Sequence, residues 1–153
     1  MLPESLSENS TASALADLAT TGKLEFGELT IEVAPGNIVA ALGRAKHDLG
    51  FTRLSTVCGV DRFPVEPRYE VIYHLQSVTT KERLRLKSRV SGDNPEIESG
   101  CSVFRSANWY ERETYDFFGI RFLNHPDLKR IQLPEQFEGH PLRKDFPVTG
   151  NRY

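Results

Sequence analysis

The densest run of residues that could do chemistry is Trp109-Tyr-Glu-Arg-Glu-Thr-Tyr-Asp-Phe-Phe-Gly119. Val103, Ala107, Tyr110, Thr114, Phe117 and Phe118 recur at helical spacing through it, and Gly119 supplies a stop. On such a helix Arg112 and Asp116 stand one turn apart and are expected to form an ion pair. Glu113 and Asp116 share a face. With His125 shortly downstream they could form a carboxylate–histidine metal site, the basis of a metal-dependent hydrolase. Nothing fixes His125 against the helix, however, and the HExxH spacing is absent. The expectation is a charged helix face that buttresses the loop after it.

Other chemical signatures are missing. The chain has no GxGxxG, no GxxxxGK[ST] and no GxSxG. His47, His74, His125 and His140 are scattered, and the last two each precede proline, which suits turns or docking. A proton-transfer role for them stays open. Cys58 and Cys101 lie outside any CxxC pair, and two thiolates cannot complete the four-cysteine set of an iron–sulfur cluster. The N-terminus lacks the basic start and apolar centre of a signal peptide, so free, buried thiols in a reducing compartment are expected.

Several elements must position these residues. Met1–Gly22, rich in Ser, Thr and Ala, reads as a mobile lead-in with at most one short helix. Alternation then begins at Leu24 and Phe26 and resumes at Leu29, Ile31 and Val33, with a turn or bulge at Gly27-Glu28. Asn37 is offered as the cap of a helix marked by Ile38, Leu42, Ala45 and Leu49, and Gly50 ends it. Arg53–Val60, Arg68–Gln76 and Arg83–Val90 alternate as strands. The connections between them are too short for crossover helices, so an antiparallel meander is expected. Ser91–Gly100 reads as a polar loop, and a short strand is expected at Ile120–Leu123. The fold class is α+β: a ferredoxin-like antiparallel sheet with two helices on one face.

The division expected is a lead-in at 1–22, an α+β domain at 23–123 and an extended arm at 124–153. Beyond Pro134 no period survives, and Gly139, Pro141 and Pro147 forbid a long regular element. Yet Phe137, Leu142 and Phe146 are spaced among Arg143, Lys144 and Asp145, which suits an ordered arm lying across a partner protein. The other reading is an arm folded back on its own domain. Arg83, Arg85, Lys87 and Arg89 share the face opposite Leu84 and Leu86, a like-charged row that acidic partners would relieve. Those partners could be neighbouring strands, with Glu70 as one candidate, or another protein of an assembly.

Composition bounds the role. The 153 residues carry 19 basic and 21 acidic side chains, a net charge of −2, against a general nucleic-acid binder. No apolar run reaches the roughly 18 residues of a membrane span, so membrane contact is expected only through a partner.

The same residues carry a resemblance. Glu111-Arg-Glu-x-x-Asp-Phe-Phe-Gly-Ile120, Phe122, His125-Pro-Asp-Leu-Lys-Arg-Ile131 and Glu138-Gly-His-Pro-Leu-Arg-Lys-Asp-Phe-Pro147 resemble the signature of the C subunit family of NADH:quinone oxidoreductase, respiratory complex I. Asn108-Trp109-Tyr110 and Tyr73-His74-Leu75-Gln76-Ser77 also resemble that family, while Met1–Gly22 matches nothing in it. One departure is Phe117-Phe118, where the family often has one smaller aliphatic residue.

The resemblance implies a structural, non-catalytic member of the peripheral arm, on the cytoplasmic face of the membrane. It would sit beside the larger D subunit near the quinone site, with the B and I subunits as further neighbours. FMN, iron–sulfur clusters, NADH and quinone would belong to other subunits, and this chain would bind no cofactor or metal. Glu111, Arg112, Glu113, Asp116, His125 and Arg130 would form a structural motif. His140, Arg143, Lys144 and Asp145 would serve assembly through an arm wrapped on the D subunit. Phe137, Leu142 and Phe146, with Arg85 and Lys87 of the basic row, complete the expected docking set. A related plastoquinone-linked complex or a membrane-bound hydrogenase is the alternative setting.

Overall fold

A computed structural model describes residues 3–150. Strands β1 (Ala19–Glu25) and β2 (Glu28–Val33) form a hairpin whose turn residues, Phe26 and Gly27, both take positive φ. Pro35 breaks β2, and α2 (Ile38–His47) buries Ile38, Ala41, Leu42 and Ala45 along one stripe. Gly50, at φ 75°, turns the chain out of it. Strands β3 (Arg53–Asp61), β4 (Tyr69–Gln76) and β5 (Arg83–Val90) pair as the expected antiparallel meander. The five-stranded order is β1-β2-β5-β4-β3, and β2 runs parallel to β5. The α+β class holds.

Both long helices lie on one face. Leu42 of α2, Tyr73 of β4 and Glu111 of α3 (Ala107–Phe118) converge on Gly100, where an added Cβ would meet all three. Gly59 of β3 lies against Phe118 and Thr114 of α3 in the same way. Val57, Val71, Tyr73, Leu84 and Leu86 therefore face the helices and are buried. Alternate residues, among them Thr56, Cys58, Ile72, His74, Arg85 and Lys87, form the helix-free face.

Three expectations need correction here. Residues 6–19 belong to the packed domain: Leu6, Ala12 and Leu15 are buried in its core, and Ala19 already opens β1. The short helix α1 (Ser10–Ala14) is capped by Asn9, whose side chain accepts from the Ala12 N–H at 2.9 Å. Asn37 stands ahead of α2 but its side chain makes no capping bond. The polar loop 91–100 contains β6 (Glu96–Glu98), which pairs in parallel with β7 (Arg121–Leu123). Three residues are too few to display an alternation.

The basic row is paired within the sheet. Arg83 and Arg85 reach Glu28, while Lys87 and Arg89 reach both Glu32 and Glu70. Glu70, anticipated as a relieving partner, is joined by two β2 carboxylates that the sequence did not suggest. The reason is the parallel β2–β5 pairing, which sets Glu32 directly beside Lys87. Lys87 is only 16% exposed in its side chain and is thus held by its own sheet.

Candidate functional site

Helix α3 carries two buried carboxylates that do different work. Glu111 is fully buried. Its Oε1 accepts from the Tyr73 hydroxyl at 2.9 Å and the Gly100 N–H at 2.7 Å. Its Oε2 accepts from the Ser99 hydroxyl at 2.5 Å and the Cys101 thiol at 3.5 Å. Burial pushes its pKa up, and these donors oppose that rise without cancelling it. Burial also raises the Cys101 thiol, to about 11.

Cys101, Glu111 and His125 place ligand-type atoms within 4.8 Å of one another. Each already has hydrogen-bond partners, the Cys101 thiol with Glu111 itself. His125 Nδ1 accepts from the Asp127 N–H at 3.0 Å, which leaves Nε2 to donate to the Asn108 carbonyl at 3.1 Å. The arrangement ties β4, the turn at 99–102 and α3 into one hub. His125 thus lies beside Glu111, at 4.0 Å, rather than with Glu113 and Asp116. The carboxylate–histidine set considered for a hydrolase does not come together.

Asp116, one and a half turns later and also fully buried, anchors the segment after β7. Its Oδ2 accepts three consecutive backbone N–H groups, from Ile131 at 3.0 Å, Gln132 at 2.8 Å and Leu133 at 3.0 Å. Arg130 closes on Oδ1 at 2.9 Å. Burial works to raise this carboxyl, but the three backbone donors and Arg130 outweigh it and hold the pKa below the ordinary aspartate value. The expected Arg112–Asp116 pair is replaced. Arg112 instead donates to the Lys129 carbonyl at 3.2 Å and stacks on Trp109 at 4.8 Å. The Arg130 guanidinium also reaches the Gly139 carbonyl, at 2.7 Å.

From there the arm folds back over the C-terminal end of α3. His140 Nδ1 bonds the Asp116 carbonyl at 2.9 Å, the Leu142 N–H donates to the Phe117 carbonyl at 3.2 Å, and Arg143 Nε donates to the Phe118 carbonyl at 2.6 Å. These are carbonyls that a helix end leaves without intrahelical partners. Further on, the Lys144 N–H donates to Asp61 at 2.8 Å, and Arg68 bridges Asp61 and Asp145. Phe137 and Phe146 stack at 6.1 Å, Arg130 lies over Phe137, and Leu142 is exposed beside the groove between α3 and β3. The arm is irregular, as expected, but Arg130, His140, Arg143, Asp145 and the Lys144 backbone N–H are bonded to its own chain. Residues 151–153 fall outside the described part.

Asp61, Arg68 and Ser99 escaped the sequence reading. Arg68 directly follows Pro67 at the mouth of the β3–β4 connection, the only hint available. Glu113 lines the groove with Val57, Phe117, Phe118 and Leu142 and takes no part in either carboxylate cluster. No described helix is long and apolar enough to cross a membrane.

The family model described as the respiratory-chain NADH dehydrogenase 30 Kd subunit matches residues 31–152. The C subunit of the NADH-quinone oxidoreductase of Rhizobium etli is 43% identical over 139 residues, 90% of this chain and 69% of that protein. The protein of the same name from Methylobacterium radiotolerans is 46% identical over 90% of this chain and 64% of its own length. Among solved structures, Nqo5 as a trypsin-resistant fragment (1–134) superposes with a TM-score of 0.68 at 28% identity, covering 76% of this chain and 94% of the fragment. A chain of a membrane-bound sulfane sulfur reductase, an archaeal respiratory membrane complex, gives 0.74 at 26% identity over 89% of this chain and 82% of its own. The sequence match and the shared fold together place this chain in the family of the 30 Kd subunit of the respiratory-chain NADH dehydrogenase, the C subunit of NADH-quinone oxidoreductase.

Proposed function

We propose that this chain is a non-redox structural member of a membrane-associated NADH-quinone oxidoreductase. In this reading it docks on the D subunit near the quinone site and supports electron transfer from NADH to quinone without carrying out a step itself. The observation that carries the reading is the use made of the ionisable residues on α3. Glu111 and Asp116 each satisfy several donors of their own chain, so both act as fasteners. The partner-facing part of the arm then centres on Leu142 with the Phe137–Phe146 stack, with exposed Lys144 and half-exposed Asp145 at its rim. FMN, iron–sulfur clusters, NADH and quinone are assigned to other subunits, and the complex to the cytoplasmic side of its membrane.

The likeness to the sulfane sulfur reductase chain favours a second setting, in which the same docking domain serves a complex with another electron donor. Purification of the tagged full chain from its own membranes decides between them. Recovery with the D subunit and the NADH-oxidising subunits is expected. Recovery with hydrogenase- or sulfur-reductase-type subunits gives the second setting, and recovery alone rejects both. Pure chain that carries a stoichiometric flavin or iron–sulfur absorbance, or that oxidises NADH, overturns the non-redox reading.

A further inference from the structure

The helix-free face of the sheet has an excess of positive charge in a chain whose net charge is −2. Among the described residues, Arg62, Arg83, Arg85, Lys87 and Arg89 form ion pairs there with Glu28, Glu32 and Glu70. The Lys23–Glu25 pair of β1 adds one charge of each sign. Every carboxylate that faces the row is therefore shared. Glu28 holds Arg83 at 3.0 Å and Arg85 at 3.2 Å, and Glu70 holds Arg62 at 3.1 Å and Lys87 at 3.3 Å. A guanidinium has five N–H donors, and the side chains of Arg83, Arg85 and Arg89 remain 67%, 33% and 40% exposed.

The face also has the relief of a binding surface. A cleft of about 430 Å³ opens at its Arg83–Arg85 end, with Ser55, Thr56, His74 and Gln76 along its walls. Cys58 and Ile72, cross-strand neighbours, form a half-buried apolar centre beside Lys87. An apolar centre with a charged rim is the usual anatomy of a protein interface. The excess sign decides the partner, because a face that its own chain leaves under-neutralised attracts carboxylates.

We infer that the helix-free face receives an acidic segment of a neighbouring protein of the assembly. Asp or Glu side chains of that segment take the free donors of Arg83, Arg85 and Arg89, and one enters the cleft beside His74. This deepens the proposed function and rests on the chain being a docking subunit. It adds a surface on the side of the sheet away from α2 and α3, which the sequence motifs of α3 and the arm do not mark.

Alkylation by a maleimide tests it, with native Cys58 and a Thr56→Cys variant as reporters on the face. Each is compared in the isolated full chain and in the assembly recovered from membranes. We expect labelling in the assembly to slow by about tenfold or more at both positions, since thiol reactivity requires access. Carbodiimide treatment of assembly carrying Arg85→Lys should give an isopeptide link to an Asp or Glu of another protein in it. Replacing Arg83 and Arg85 together by Gln should make the assembly dissociate at lower salt. Equal labelling in both forms, protection lost on nuclease treatment, or links confined to this chain's own carboxylates overturns the inference. Which subunits co-purify with the unaltered tagged chain reports on the proposed function separately. Accessibility is read in whatever assembly is recovered, and a chain recovered alone with Thr56→Cys fully reactive rejects both.

Discussion

Arg68 holds Asp61 and Asp145 at once. Its Nε and Nη2 reach Asp61 at 2.9 and 2.8 Å, and its Nη1 and Nη2 reach Asp145 at 3.0 and 2.7 Å. The two carboxylates differ in setting, with Asp61 2% exposed and Asp145 47% exposed in their side chains. One guanidinium thus joins the inner end of the β3–β4 connection to the outer end of the arm.

That asymmetry predicts unequal mutational costs. Arg68→Ala strands a buried carboxylate and should cost about 3–5 kcal/mol in chemical denaturation. Asp145→Ala loses only a half-exposed partner, and about 1 kcal/mol or less is expected. Near-equal losses for the two variants would show that the arm, rather than Asp61, is what Arg68 stabilises.

Acid should separate the two α3 carboxylates. Asp116 has a folded-state pKa below its unfolded value, so its contribution is complete above the unfolded pKa and is lost as pH falls through the folded one. Asp61 behaves the same way, held down chiefly by Arg68. Glu111 has a raised folded pKa, so its contribution is complete below the unfolded value and declines as pH rises through the folded one. The stability gap between wild type and Asp116→Asn should therefore widen from acid to neutral pH, while the gap for Glu111→Gln narrows. Urea denaturation at a series of pH values checks both slopes, and slopes of the same sign would contradict the assignment.

Gly119 is required twice over. Its φ is 74°, and an added Cβ would meet His140 at 2.6 Å and also the Arg143 guanidinium. Gly119→Ala should cost about 1–2 kcal/mol from backbone strain and displaced contacts. Limited proteolysis should then cut within 134–145 faster than in wild type. Unchanged cleavage there would mean that the arm is seated without this crossing.

Tyr69 is wholly buried, and among the described residues its hydroxyl is a buried side-chain group without a hydrogen-bond partner. Arg143 lies over its ring at 5.5 Å. Tyr69→Phe removes an unsatisfied group and should be neutral or stabilising by about 1 kcal/mol. A loss of 1 kcal/mol or more in thermal unfolding would mean that the hydroxyl has a partner in solution.

Much of the scaffold was legible because its signals are periodic. The stripe Ile38, Leu42, Ala45 and the alternation of Tyr69, Val71, Tyr73, Leu75 are each set by the element's own repeat. Contacts between distant segments leave no such trace. The three donors that fill Asp116 are backbone groups of Ile131, Gln132 and Leu133, which no side chain advertises. Likewise, Glu32 became the partner of Lys87 only through a strand pairing that spans α2 and the meander. The motif residues could be singled out by type, but which of them would meet depended on how the arm returned.

The parallel seam between β2 and β5 has a kinetic consequence. Leu29 pairs with Leu84 and Glu32 with Lys87 across the whole of α2, β3 and β4. The β1–β2 hairpin and the β3–β4–β5 meander are each local, so each can form early. Joining them must wait for a long loop to close, which is slow to nucleate. On the helix-free face, β2 presents Glu28, Thr30 and Glu32 where β5 presents Arg83, Arg85, Lys87 and Arg89. Opposite charges draw these edges together across that loop, and a slip of one residue would turn the acidic row of β2 inward, onto the helix side. The ion pairs of Glu28 with Arg83 and Arg85, and of Glu32 with Lys87 and Arg89, thus act as registration marks when the two local units join.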